Sequence, residues 1–149
     1  MGDRIVICIT DGIDWTPDFY GHWCGLRAVK VLNDLVRLGE YNGLHSLMCN
    51  FVTAIMDGRP HPYSYYIYNH GEAEGSADWD NFTWTFDTSK NTWTTTHPDF
   101  EGKCLTIDEA DDFVRKERPC LYRQCKCDEY GTEGCMLRFT GTDGNEQGE

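Results

Sequence analysis

The chain has 149 residues, which suits one domain with a small appendage, and its formal net charge is −12 at pH 7. Acidic residues are concentrated in positions 70–149, which carry eighteen Asp and Glu against eight Lys and Arg. This charge disfavours direct binding to nucleic acid and favours a partner with a basic surface, although it also serves simply to keep a small protein in solution. No apolar stretch reaches the about 18 residues of a membrane-spanning helix. The first residues lack the pattern of a signal peptide, so we expect a cytoplasmic protein without membrane association.

The first half of the chain predicts two strands followed by two helices. Residues 4–10 (RIVICIT) are rich in β-branched side chains and almost continuously apolar, which is typical of a buried strand. Residues 19–23 (FYGHW) are predicted to form the second strand of a hairpin. The next segment has apolar residues at helical spacing and ends at Gly39. The second helix begins after Asn42, a candidate N-cap, and ends near Gly58.

The second half predicts further β structure and one short helix. The tyrosine-rich residues 61–71 form either a strand or an ordered loop, and an acidic loop follows. Aromatic residues alternate with threonine over residues 81–96, which predicts a second hairpin. Thr106 and Glu109 have the spacing of a capping box at the start of a short helix.

These elements predict an α+β fold in which the two hairpins form an antiparallel sheet covered by the helices. We divide the chain into a core domain over residues 1–100 and an appendage over residues 101–139 that holds the short helix and a cysteine-rich segment. Residues 140–149 (TGTDGNEQGE) have nothing to bury and are predicted to be disordered.

The corner between the second strand and the first helix holds two candidate catalytic residues. His22 has the chemistry of a general base, and Cys24 could be a nucleophile if the helix N-terminus favoured its thiolate. The alternative is a packed hinge, in which Trp23 fills the core beneath the helix and Gly25 permits a close approach. The packed hinge is favoured, so the sequence assigns no catalytic residue.

The last third of the chain contains a cluster of cysteines that could bind a metal. Cys120, Cys125, Cys127 and Cys135 lie within sixteen residues and could close a structural zinc site, with Cys104 as a substitute ligand. Their spacing departs from the usual pair of C-x2–4-C knuckles. Disulfides and reduced thiols are the alternatives, and all three stay open. Cys8, Cys24 and Cys49 lie singly in apolar patterns and are predicted to be buried thiols.

Aromatic and acidic side chains supply the candidate binding surface. Trp79, Trp84 and Trp93 are predicted to pack in the core rather than to form a platform on which a base or nucleotide stacks. The run of tyrosines is predicted to form an interface, because tyrosine is enriched in protein binding surfaces. His61 and His70 flank the tyrosines in loops and are predicted to face solvent. The predicted binding residues are Tyr20, His22, Trp23, Tyr63, Tyr65, Tyr66, Tyr68, Glu72, Glu74, Asp78 and Asp80.

The start MGDR together with YGHWCG at residues 20–25 resembles a widespread group of small uncharacterised prokaryotic and phage proteins. Those proteins begin Met-Gly-Asn/Asp-Arg and carry a Tyr-Thr-His-Trp-x-Gly corner that enters a helix. A second helix and an aromatic strand pair rich in Asp follow. The resemblance covers roughly the first two thirds of the chain, which departs from the pattern at Gly21 and Cys24. It implies a phage or mobile-element setting, where small acidic proteins often bind a host factor.

We therefore expect a non-enzymatic acidic binding protein that inhibits a host defence or nucleic-acid-handling protein. A nucleotide or small-molecule binding protein or hydrolase, with its pocket at residues 20–25, is the second hypothesis. A structural or assembly component is the third.

Overall fold

The computed structural model describes residues 2–58 and 63–122. Within them lie six strands, three α-helices and two 3₁₀ turns. In chain order the elements are β1 (Ile5–Thr10), β2 (Asp18–Gly21), α1 (Arg27–Leu38), α2 (Gly43–Met56), β3 (Tyr65–Tyr68), β4 (Thr83–Asp87), β5 (Thr92–Thr95), a 3₁₀ turn (Pro98–Phe100), β6 (Leu105–Thr106), α3 (Ile107–Glu117) and a 3₁₀ turn (Pro119–Tyr122).

The predicted α+β layout is confirmed, with the strands in one sheet of order β3-β2-β1-β4-β5-β6. Both predicted hairpins form, since β1 pairs with β2 and β4 pairs with β5 in antiparallel register. The hairpins are joined by parallel pairing of β1 with β4, so the sheet is mixed rather than wholly antiparallel. This central position explains why all six residues of β1 are buried and why its sequence is continuously apolar.

Strand alternation divides the sheet into a helix-covered face and a second face. Ile5, Ile7 and Ile9 point into the main core between the sheet and the helices. Trp84 and Trp93 join them as fully buried side chains, which confirms the core assignment made for them from the sequence. Trp79 differs, because it lies in the turns before β4 and is 92% exposed.

The helices begin and end where the sequence indicates. Gly39 closes α1 in the left-handed conformation with a φ of 74°. Thr106 and Glu109 form both hydrogen bonds of the predicted capping box at α3. Asn42 occupies the N-cap position of α2, but its side chain makes no capping hydrogen bond.

None of the helices in the described ranges combines the length and apolar character that crossing a membrane requires.

A buried polar network joins α1, α3 and β5. Asn33 of α1 accepts a hydrogen bond from the indole nitrogen of Trp93 at 2.7 Å and donates one to Asp111 of α3 at 2.9 Å. Arg37 and the Tyr122 hydroxyl also contact Asp111. The apolar residues Ala110 and Val114 of α3 belong to the same core as β1. Helix α3 is thus packed into the body of the fold.

Successive turns in residues 69–82 lie over part of the second face of the sheet. Ala73 and Ala77 are buried there against Val6, and Tyr20 packs beside them. The turns leave the rest of this face open towards β4 and β5, and this arrangement creates the cleft described below.

Candidate functional site

The N-terminal residues hold the corner between β2 and α1 in place. The Asp3 amide donates to the His22 carbonyl at 2.7 Å, and the Gly25 amide donates to the Asp3 carbonyl at 2.9 Å. Gly25 has a φ of +56°, and a Cβ there would overlap the Asp3 carboxylate. A Cβ at Gly21 would likewise overlap Cys24 Sγ. The two segments that carry the family resemblance are therefore in direct contact.

The corner places its candidate catalytic residues in different environments. Cys24 is buried, and burial raises the pKa of its thiol to about 12, the opposite of activation. The His22 ring lies beside Tyr20, whose hydroxyl is 3.0 Å from Nδ1. The expectation that Trp23 fills the core is wrong, because its side chain is 44% exposed. Trp23 lies beyond the end of β2, so strand alternation no longer directs it, and Cys24 takes the buried position.

Five of the predicted binding residues form a continuous row of rings, here called the aromatic row. Its members are Trp23, His22, Tyr20, Tyr66 and Tyr68. Neighbouring ring centroids lie 4.9 Å, 6.1 Å, 5.9 Å and 6.3 Å apart along the row. The pairing of β2 with β3 produces it, since Tyr20 stands opposite Tyr66 in the register. The structure thus brings together the corner and the tyrosine-rich strand.

The other predicted tyrosines lie apart from this row. Tyr65 points to the helix-covered face, where its ring stacks on Phe19 with centroids 5.5 Å apart. Alternation along β3 requires this, because Tyr66 and Tyr68 point to the opposite face. Tyr63 precedes β3 and is 81% exposed.

The predicted acidic residues lie on the turns of residues 69–82, where Glu74 and Asp78 line a groove together with Phe82 and Thr96. Glu72, Glu74 and Asp78 are exposed, whereas Asp80 is half-buried. One carboxylate oxygen of Asp80 accepts hydrogen bonds from the backbone amide of Arg4 at 2.9 Å and from its guanidinium at 3.1 Å. Asp80 therefore organises the turns. The Glu72 carboxylate accepts hydrogen bonds from the amide and the side chain of Asn69, whereas Glu74 and Asp78 have no ion pair among the described contacts.

A cleft of about 250 Å³ opens between the turns and the second face of the sheet. On one side lie Cys8, Trp15, Asp18 and His70. On the other side it is lined by threonines of β4, β5 and the residue that follows β5, namely Thr83, Thr85, Thr94, Thr95 and Thr96. The sequence suggested a pocket at the corner of residues 20–25. None of those residues lines this cleft.

Three side chains with metal-binding chemistry meet in this cleft. His70 Nδ1 lies 3.3 Å from Cys8 Sγ and 3.3 Å from Asp18 Oδ1. The other oxygen of Asp18 accepts hydrogen bonds from the amides of Gly71 at 2.8 Å and Ala73 at 3.2 Å. The carboxylate is therefore fixed with one oxygen directed towards His70.

Aromatic stacking and burial define the rest of this cluster. The His70 ring stacks on Trp15 with centroids 4.4 Å apart and remains 44% exposed. His70 thus faces solvent in part, as predicted, but it is held by contacts that its loop position did not indicate. Burial raises the pKa of Cys8 to about 12, so without a bound cation the thiol is protonated.

The register of the first hairpin is the one feature of the sequence from which part of this cluster could have been predicted. The register that pairs Val6 with Tyr20 continues to place Cys8 opposite Asp18 on the same face. His70 reaches them only through the pairing of β3 with β2, a contact far apart in sequence that no local pattern announces.

The predicted zinc ligands of the last third lie mostly outside the described residues. This holds for Cys125, Cys127 and Cys135, and also for His61 in the first half. Cys120 is half-buried in the last 3₁₀ turn, and Cys104 is an exposed free thiol. Of the three thiols predicted to be buried, Cys8 and Cys24 are, whereas the prediction for Cys49 is wrong, because it lies on the exposed side of α2.

Comparison with known proteins gives no relative: no family model, no curated protein and no solved structure matches this chain.

Proposed function

We propose that the protein is a non-enzymatic binding protein that uses the aromatic row and the acids of residues 69–82 to bind a basic segment of a partner protein. The observation that carries this proposal is the contiguity of the row, in which the exposed rings of Trp23, Tyr66 and Tyr68 are joined by the half-buried Tyr20 and His22. Tyrosine and tryptophan are enriched at protein interfaces because they bury much area and keep a polar tip. Because the resemblance implies a phage or mobile-element setting, we propose that this partner is a host defence or nucleic-acid-handling protein in the cytoplasm. The protein would inhibit that partner by binding it.

Charge indicates the chemistry of the partner. Residues 70–81 include Glu72, Glu74, Asp78 and Asp80 and contain neither Lys nor Arg. Only Asp80 has its charge paired within the described contacts, with Arg4. Lys or Arg side chains of a partner would complement the remaining acids, speed its association and make binding sensitive to salt.

The sheet edge indicates how such a partner binds. Strand β3 is the terminal strand in the sheet order, and among the described strands only β2 pairs with it. An extended segment can add to such an edge through main-chain hydrogen bonds, while its alternate side chains contact one face. On the second face those side chains would meet Tyr66 and Tyr68.

Two synthetic peptides of equal length test this function. One repeats Lys-Val-Lys-Thr, and the other repeats Glu-Val-Glu-Thr. We expect the lysine peptide to shift the backbone amide signals of Tyr65–Tyr68 in an NMR titration of the full chain, with affinity that falls as salt is added. Equal binding of both peptides, or shifts confined to other elements, would contradict the proposal.

Matched variants assign the effect to the surface. Glu74→Lys/Asp78→Lys should weaken binding of the lysine peptide several-fold, at roughly 0.2–1 kcal/mol per exposed charge pair. The control Glu40→Lys/Glu101→Lys makes the same change in net charge at two exposed positions away from the acidic turns. If the control weakens binding as much, only net charge matters and the surface assignment is wrong.

A further inference from the structure

The cleft beside the turns joins a thiol, a carboxylate and an imidazole whose ligand atoms all lie within 4.8 Å of one another. We propose that Cys8, Asp18 and His70 bind a Zn²⁺ ion, with a fourth coordination position that faces the cleft. This site is distinct from the cysteines of the last third, and it does not depend on the partner-binding function proposed above.

A single hydrogen bond at His70 Nδ1 accounts for only one of its two contacts. Nδ1 of a neutral imidazole is either a donor or an acceptor, so it cannot serve as a donor to Asp18 and as an acceptor for the Cys8 thiol together. Yet it lies 3.3 Å from an atom of each. An N–H donor usually lies about 2.7–3.2 Å from its acceptor oxygen, so the distance to Asp18 is long for a hydrogen bond. A cation among the three atoms would use a lone pair from each of them.

The two separations that involve His70 fit ligands that share one ion. With Zn–N and Zn–O distances near 2.0–2.1 Å and Zn–S near 2.3 Å, tetrahedral ligands lie about 3.3 Å apart for N and O and about 3.6 Å apart for N and S. The observed 3.3 Å from His70 Nδ1 to Asp18 Oδ1 agrees with the first value. The 3.3 Å from Nδ1 to Cys8 Sγ needs a shift of only a few tenths of an ångström.

The surroundings orient the ligands in the way metal sites require. Backbone amides of Gly71 and Ala73 hold one oxygen of Asp18 and leave the other for the ion. Stacking on Trp15 fixes the plane of the His70 ring. Such outer contacts set ligand direction in metal sites and raise affinity.

Charge and donor type favour Zn²⁺ over a hard cation. Thiolate and carboxylate together neutralise a divalent ion, so the bound site carries no net charge despite the burial of Cys8 and Asp18. Sulfur and imidazole ligands suit zinc, whereas calcium and magnesium prefer oxygen ligands. Binding displaces the thiol proton, which otherwise has the Thr16 carbonyl oxygen as an acceptor at 3.5 Å, and that proton passes to solvent.

Position in the cleft distinguishes this site from a closed structural one. All three ligands line the cleft, so a fourth ligand must approach from that space. Three protein ligands with one open position are typical of zinc sites that bind water or a small molecule. Threonine side chains line the opposite wall of that space.

Cobalt(II) is the probe, because it occupies zinc sites and gives a charge-transfer absorption band when a thiolate is bound. The host is the full chain with the five cysteines of its last third changed to serine, namely Cys104, Cys120, Cys125, Cys127 and Cys135. We expect this variant to bind a single equivalent of Co²⁺ with a thiolate band, and to release it when Zn²⁺ is added.

Three substitutions in that variant assign the ligands. Cys8→Ser should abolish the thiolate band, whereas Cys49→Ser, which changes an exposed thiol of α2, should leave it intact. His70→Ala should weaken Co²⁺ binding at least about 10–100-fold, the cost associated with losing even an outer contact. His70 is 44% exposed, so its variant keeps the proposal testable if Cys8→Ser fails to fold.

Two results would overturn the proposal. One is the absence of a thiolate band from the variant without the last-third cysteines, which would assign any metal to those cysteines. The other is a band, or an affinity, that Cys8→Ser and His70→Ala leave unchanged.

Discussion

Burial decides the chemistry of Cys24 more than its place near a helix N-terminus does. The thiol is 1% exposed, and its pKa is raised mainly by burial, which Arg27 opposes only in part. Gly21 leaves the space that the sulfur fills. Cys24 thus serves to pack the corner. The side chains of the corner that reach the surface are those of the neighbouring Trp23 and His22.

This burial predicts an alkaline loss of stability. In the unfolded chain the thiol ionises near pH 9.0, whereas in the fold its pKa is about 12. Below pH 9.0 the thiol is protonated in both states and adds no pH dependence; above it, ionisation favours the unfolded state by up to about 1.4 kcal/mol per pH unit. Urea unfolding on both sides of pH 9.0 should show a smaller loss in Cys24→Ala than in wild type, with Cys49→Ala behaving as wild type. Equal losses in all three proteins would rule out this role of burial.

Individual side chains show where the sequence was informative. The alternation of residues in β4 placed Trp84 correctly in the core, because period-2 patterns report which face is buried. The same reasoning failed for Trp23, which lies beyond its strand. It could not reach His70, since the contacts of His70 with Cys8 and Asp18 span 62 and 52 positions of sequence.

At the scale of elements, α1 and α3 are joined by polar groups as well as by apolar packing. Asn33 is fully buried and satisfies two partners on two other elements, Trp93 and Asp111. Buried polar groups stabilise a fold only while each has its partner. This makes Asn33 the residue on which the mutual placement of α1, α3 and β5 depends.

Asn33→Ala should therefore cost at least about 2 kcal/mol in the free energy of unfolding. It leaves the indole nitrogen of Trp93 without its acceptor and removes a donor from Asp111, and each unsatisfied buried group costs about 1–3 kcal/mol. Urea unfolding monitored by tryptophan fluorescence measures the loss. The control is Asn50→Ala, because Asn50 donates to the Glu40 carbonyl at an exposed position and should cost less than about 1 kcal/mol. If the two variants lose comparable free energy of unfolding, the hydrogen-bond network of Asn33 does not have this stabilising role.

At the scale of the molecule, the local elements were predictable and their assembly was less so. Hairpins, caps and helix ends are set by neighbouring residues, so the sequence located both hairpins, Gly39 and the capping box of α3. The parallel pairing of β1 with β4 joins residues more than seventy positions apart, and the continuously apolar β1 was its only hint. The aromatic row and the cluster of Cys8, Asp18 and His70 both depend on pairings between strands that are distant in sequence.

The position of α3 leads to a prediction about the whole chain. Leu121 and the α3 residues Ala110 and Val114 lie in the same core as β1, and β6 pairs with β5 just before α3 begins. A chain that ends at Phe100 loses these contacts and the Asp111 network, which together represent a large share of the about 5–15 kcal/mol of a typical domain. We expect it to lack cooperative thermal unfolding, whereas a chain that ends at Phe139 should keep the melting temperature of the full protein. Cooperative unfolding of the shorter chain would show that residues 1–100 are a domain by themselves and that α3 is an appendage.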